Sequence, residues 1–154
     1  MIILGLDPGT AKVGWGIISK EGKALSFIAC GVVETSKKSP SQKRLQEIYC
    51  QIKKIISRYS PEEISLEKLF FFKNLKTAIP VAEARGVLLL LVAEKKIKLK
   101  EFTPLQVKTG VCGYGRAEKQ QVQRMVQILL KLKEIPMPDD AADALALAIC
   151  ASFA

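Results

Sequence analysis

The chain has 154 residues, 49% of them hydrophobic, and its 24 Lys and Arg outweigh 15 Asp and Glu to give a formal net charge of +9 with no histidine. That length and composition describe one folded domain, 1–154, and exclude a disordered chain. The missing histidine excludes His-based acid–base catalysis, Ser-His triads and His-Cys zinc sites, so a bound metal must take oxygen ligands, which points to magnesium or manganese. The basic surplus favours a polyanionic partner, nucleic acid first, over a merely solubilising surface.

Residues 2 to 6 form a fully apolar run, as in a central strand, and Asp7-Pro8-Gly9-Thr10 breaks it with turn residues. The start Met1–Asp7 has neither a charged leader nor a small-residue cleavage site, so no signal peptide is expected and the expected location is cytoplasmic. Val13–Ser19 is a second strand, Lys20-Glu21-Gly22-Lys23 a hairpin turn and Ala24–Glu34 a third strand, giving an antiparallel meander. Leu45, Ile48, Ile52, Ile55 and Ile56 recur at helical spacing, which predicts a helix over 42–58 with Ser41 as its cap. Glu63–Glu67 is a short strand with Ile64 and Leu66 on one face and Ser65 and Glu67 on the other, while Glu62 and Glu63 read as surface acids.

Phe70-Phe71-Phe72-Lys73-Asn74 reads as a loop. Residues 75–95 are helical, and their longest apolar run, Val87–Ala93, is too short to span a bilayer, so no membrane partner is expected. A strand follows at Ile97–Thr103, then a helical turn at Pro104–Thr109, a glycine-punctuated loop at Gly110–Arg116 and a helix at Ala117–Lys133. Pro136 and Pro138 separate this from a final helix. Cys30, Cys50, Cys112 and Cys150 lack C-x-x-C spacing and read as buried thiols. The order β-β-β-α-β-α-β-α-α predicts an α/β fold, a mixed sheet with helices packed on it.

The chain holds four aspartates: Asp7 at the end of the first strand, and Asp139, Asp140 and Asp143 in the last helix. Asp140 and Asp143 share a helix face, where like charges repel. Capping and the helix dipole account for Asp139 or Asp140, but not for Asp143, a turn deeper in an alanine-rich stretch that must pack closely. A carboxylate held there needs a cation or donors. Asp7 reads equally well as an Asx-turn closing its strand, and Glu67 ends its strand in the same way. Two strand ends and a helix start can converge at one edge of a sheet, and four carboxylates doing so need divalent cations. Two-metal phosphoryl-transfer sites have that arrangement, with ions about 4 Å apart. An acidic pocket in a basic protein suits phosphodiester cleavage.

Several blocks, in order and at family-like spacing from residue 2 to about 150, resemble the RuvC family of Holliday-junction resolvases. They are Asp7-Pro8-Gly9-Thr10, Leu66-Glu67-Lys68-Leu69-Phe70, Ala82-Glu83-Ala84-Arg85-Gly86-Val87, Gln106-Val107-Lys108, Gly115-Arg116-Ala117-Glu118-Lys119-Gln120-Gln121-Val122 and Asp140-Ala141-Ala142-Asp143-Ala144-Leu145-Ala146. The resemblance implies an RNase H-like five-stranded mixed sheet, three antiparallel strands then parallel ones, flanked by helices. It implies a homodimer that nicks two opposed strands of four-way junction DNA with Mg2+, two ions per subunit, Mn2+ being a substitute, alongside a branch-migration helicase complex. It carries the catalytic and metal-binding acids onto Asp7, Glu67, Asp140 and Asp143, and DNA contacts onto Lys108, Lys119, Arg116 and Phe70. Asp139 competes with Asp140 for the first helix position, and Phe71 and Phe72 compete with Phe70 for base stacking.

Two other readings of the residues stand beside this one. Leu6-Asp7-Pro8-Gly9-Thr10 also resembles the phosphate-binding strand-turn of actin-like ATPases and sugar kinases, which need two lobes where this length holds one. A non-catalytic DNA-binding module of the same fold is the third, against which the four acids argue.

Overall fold

Ile2–Pro8 forms the middle strand (β1) of a five-stranded sheet in the computed structural model, which describes residues 1–9, 11–69 and 75–154. Lys12–Glu21 (β2) and Ala24–Glu34 (β3) complete an antiparallel meander with it. Helix α1, Ser41–Tyr59, carries the chain to the other side of β1, where Glu63–Glu67 (β4) pairs parallel to it. Helix α2, Leu75–Lys95, leads to Lys98–Phe102 (β5), parallel to β4. The strand order is β3-β2-β1-β4-β5, the mixed sheet expected. Three helices follow: α3 at Pro104–Cys112, α4 at Lys119–Leu129 and α5 at Asp139–Phe153.

The sheet separates two apolar layers, which explains why β1 is apolar throughout. Leu4 and Leu6 pack with Ile48, Ile52 and Ile56 of α1 and Ala84, Leu88 and Leu91 of α2. Ile3 points the other way, into a layer built on α5 with Val107, Val122 and Val126 of α3 and α4. Alternation along β1 therefore sends Ile3, Gly5 and Asp7 toward α5. Helix α5 lies very close: a β-carbon at Gly5 would overlap the Ala144 carbonyl oxygen, and one at Gly14 the Asp140 carbonyl oxygen. Small residues on both elements, glycine below and alanine above, permit that approach. No described helix is long and apolar enough to cross a membrane.

The structure departs from the sequence expectations in five places. Ser41 is the first residue of α1 and not its cap; Pro40 holds that position without a side-chain bond. Helix α3 runs to Cys112, because Thr103 and Gln106 close a capping box at its start and Gly113 (φ 84°) ends it. The glycine loop is shorter accordingly. Helix α4 spans Lys119–Leu129, inside the predicted 117–133, with Glu118 and Gln121 as its capping box and Lys131 (φ 53°) turning the chain after it. Of the cysteines only Cys150 is buried, and Cys50 is exposed. Glu63 is no surface acid: its side chain is 2% exposed, with Lys100 Nζ 2.9 Å and Lys98 Nζ 3.1 Å away. Lys100 also donates to the carbonyls of Ala151 and Ala154, so Glu63 is buried in a charged cluster beneath the end of α5.

Candidate functional site

Asp7 and Glu67 come together because β1 and β4 run parallel in a register pairing Leu6 with Leu66. The next position on each strand is the acid. Ser65, two residues before Glu67, donates its hydroxyl to Leu147 O in α5 at 2.9 Å, so that face of β4 also meets α5. Gly14 is the register partner of Asp7 on the β2 side and lies under the Asp140 carbonyl. The start of α5 is thereby seated over the strand that ends in Asp7.

Asp7, Glu67 and Asp143 line one cavity of about 220 Å³, together with Lys108 of α3 and Lys119 of α4. Lys119 Nζ is 3.0 Å from Asp143 Oδ2 and 3.4 Å from Asp139 Oδ2. A lysine at the first position of a helix opposes the helix dipole; here the two acids offset that cost. Asp140 does not line the cavity but acts on Asp7 and Asp143 as a like charge. Asp139 is not a cap: Pro138 occupies that position with no side-chain bond, and the Asp139 carboxylate faces Lys119.

The acids are short of positive charge. Burial pushes the Asp7 carboxyl up to about 7, and Asp143, Glu67 and Asp140 add to the rise, with Lys119 opposing it. Burial also raises Glu67, helped by Asp143. Asp143 is raised by burial in spite of its bond to Lys119. For Lys119, burial works against the charge, but Asp143 and Asp139 outweigh it and hold the ammonium above its ordinary pKa.

The donor set fits a hard divalent cation, since it consists of carboxylate oxygens with a deficit of charge. Among the described residues no three such side chains stand close enough together to hold a metal ion by themselves. Magnesium is commonly held by one or two carboxylates, with water and substrate phosphate completing its shell.

Of the other predicted contacts, Arg116 is exposed in the turn before α4, outside the cavity lining. Phe70, with Phe71, Phe72 and Thr10, lies outside the described residues. Sequence reasoning assigned no role to Arg85 of α2, whose Nε donates to Glu67 O at 3.1 Å and whose other end is paired with Glu101. Its one signal was an arginine set within a largely apolar helix.

The family model described as "Crossover junction endodeoxyribonuclease RuvC" matches residues 3–151. A protein of that description from Natranaerobius thermophilus is 53% identical over 154 residues, covering 100% of this chain and 96% of its own. The solved RuvC of Thermus thermophilus superposes with a TM-score of 0.92 at 34% identity, covering 99% of this chain and 94% of that one. The same protein in complex with a Holliday junction substrate gives a TM-score of 0.90 at 31% identity over the same shares.

Proposed function

This chain belongs to the RuvC family of crossover junction endodeoxyribonucleases, and from that membership we propose that it resolves four-way DNA junctions by paired nicks, using the cavity between β1, β4 and α5. Its fold is RNase H-like, as is that of its solved relative. The observation that carries the site is the meeting of Asp7, Glu67 and Asp143 around one cavity that also admits two lysines. Membership in a nuclease family sets aside the actin-like reading of Leu6–Thr10.

Asp7, Glu67, Asp140 and Asp143 hold the divalent ions, two Mg2+ per subunit with Mn2+ as a substitute. Bound there, such ions would supply the Lewis acidity that phosphodiester hydrolysis needs. The protein does the rest. Asp7 and Glu67 present their carboxylates from the rigid ends of paired strands. Asp143 meets them from α5, with Asp140 close by outside the cavity lining, and backbone contact sets the spacing of that helix over the sheet. Lys108 and Lys119 reach the same cavity and orient the scissile phosphate, and Arg116 meets the backbone further out. Phe70, directly after Glu67 and its two following residues, stacks on a junction base.

Two symmetric cuts need two sites, which a twofold homodimer provides. A branch-migration helicase complex is the partner that would deliver junctions, and the cytoplasm is the compartment. The test uses branched and linear duplexes with magnesium. Wild-type protein nicks the branched substrate selectively, and Asp7→Asn binds it with undiminished affinity but leaves it uncut. Nicking by Asp7→Asn at near wild-type rate would sink the assignment.

A further inference from the structure

The carbonyl of Glu67 is a backbone acceptor that the sheet leaves without a donor. Met1 exchanges both of its backbone bonds with Lys20, N–H to O at 3.1 Å and O from N–H at 2.9 Å, so odd residues of β1 turn their polar groups toward β2. Even residues turn toward β4; Ile2 N, for one, donates to Glu62 Oε1 at 3.1 Å. In the parallel register Leu6↔Leu66, the N–H due to reach Glu67 O belongs to residue 8. Residue 8 is proline and has none. The β1–β4 pairing accordingly ends at Leu6↔Leu66, one rung short of the two acids.

Arg85 supplies the missing donor. Its Nε–H donates to Glu67 O at 3.1 Å, and its Nη2 pairs with Glu101 Oε1. Glu101 is the register partner of Leu66 on β5, and Lys68 N donates to Phe102 O at 2.8 Å on the same strand. The guanidinium therefore bridges the ends of β4 and β5, and its side chain is only 15% exposed. A planar fork can make both bonds at once, which an ammonium at one point cannot.

We propose that Arg85, braced by Glu101, is a positioning residue that stands in for the N–H lost at Pro8 and fixes the strand end bearing the Glu67 carboxylate. It touches neither DNA nor metal, and its effect passes through Glu67. The proposal rests on the reading of Glu67 as one of the nuclease acids.

The test is a double-mutant cycle between Arg85→Met and Pro8→Ala, read as the single-turnover nicking rate at saturating junction and magnesium, with junction affinity and melting temperature measured beside it. Arg85→Met lowers the rate about 10- to 100-fold, the cost of misplacing a reacting group by about 1 Å, and leaves junction affinity unchanged. Arg85→Lys, which keeps the charge beside Glu101 but not the fork, falls between the two and covers the case in which the methionine variant does not fold. In the Pro8→Ala background, where residue 8 again has an N–H, Arg85→Met costs far less; any effect of Pro8→Ala itself cancels in that comparison. A wild-type rate for Arg85→Met, an equal loss in both backgrounds, or a loss confined to junction affinity overturns the proposal. The site itself is tested apart: Asp7→Asn uncut with Arg85→Met at full rate sinks the positioning role alone, whereas Asp7→Asn that still cuts sinks the site.

Discussion

Lys119 and Asp143 are joined across 3.0 Å, so the cation that opens α4 is tied to the acid one turn inside α5. Lys119 is also the cation that opposes the rise in the Asp7 carboxyl. Under the proposed function it would face two anionic partners in turn, the acids of its own chain and a DNA phosphate. Lys119→Met should lower the slope of log affinity against log salt by about 1. It should also tighten Mn2+ binding to the DNA-free protein, because a competing charge is gone. Salt titrations of junction binding and metal calorimetry check the two halves; an unchanged slope would remove Lys119 from the DNA surface.

The Asp7 carboxyl gives a pH dependence with a definite sign. Its folded pKa, about 7, lies above the ordinary aspartate value of 3.8, so the folded state holds the proton more tightly than the unfolded one. Stability of the metal-free protein must then fall as pH rises between those values and level off above about 7. With about 1.4 kcal/mol per pKa unit, the cluster shares a loss on the order of a few kcal/mol. Asp7→Asn should melt higher than wild type in chelator at pH 8, and magnesium should raise the melting point of wild type more than that of the variant. Identical melting curves at pH 5 and pH 8 in chelator would contradict this.

Gly5→Ala should separate stability from chemistry poorly, and for a physical reason. The added methyl overlaps the Ala144 carbonyl oxygen, which is backbone and cannot rotate away. Helix α5 must lift, at a cost of about 1–3 kcal/mol, and Asp143 lifts with it. Melting temperature and nicking rate should fall together, whereas an alanine at Gly22, which meets nothing within 4 Å, should leave nicking unchanged despite its left-handed backbone.

Glu63→Ala makes the opposite prediction. Glu63 lies at the far end of β4 from Glu67, and removing it leaves Lys100 without its buried anion. Since Lys98 is largely exposed and Lys100 keeps two carbonyl acceptors, the loss should stay near the low end for a broken buried pair, about 3 kcal/mol. Chemical denaturation measures it, and the nicking rate per folded molecule should be unaltered.

Asp7 and Glu67 could be singled out in the chain because each stands at the end of a strand, although an Asx-turn accounts for Asp7 equally well from local sequence alone. Asp143 could be singled out because no cap or dipole accounts for it. The mixed sheet was legible as one meander followed by strands joined through helices, whereas the strand order β3-β2-β1-β4-β5 comes from the structure. Glu63 was opaque because Pro61-Glu62-Glu63 has the local pattern of a surface turn, and its lysine partners, Lys98 and Lys100, arrive two elements later on β5. The last turn of α3 was hidden by Gly110, which reads as a breaker but here leaves room for Cys150. Arg85 was opaque for a different reason. Its partner is a backbone carbonyl orphaned by a proline on another strand, and no spacing within α2 encodes that.

The close seat of α5 on Gly5 and Gly14 has a consequence for how the protein can vary. Carbonyl oxygens of α5 rest on the α-carbons of Gly5 and Gly14, so the interval between the acids of the sheet and those of the helix is held largely by main chain, with the Ser65 hydroxyl and the Leu145 side chain seated beside it. Relatives built on this joint would share one interval between their acids however far their cores have drifted. A designer wishing to widen the site for a larger ion would have to rebuild the joint, since no rotamer change reaches it.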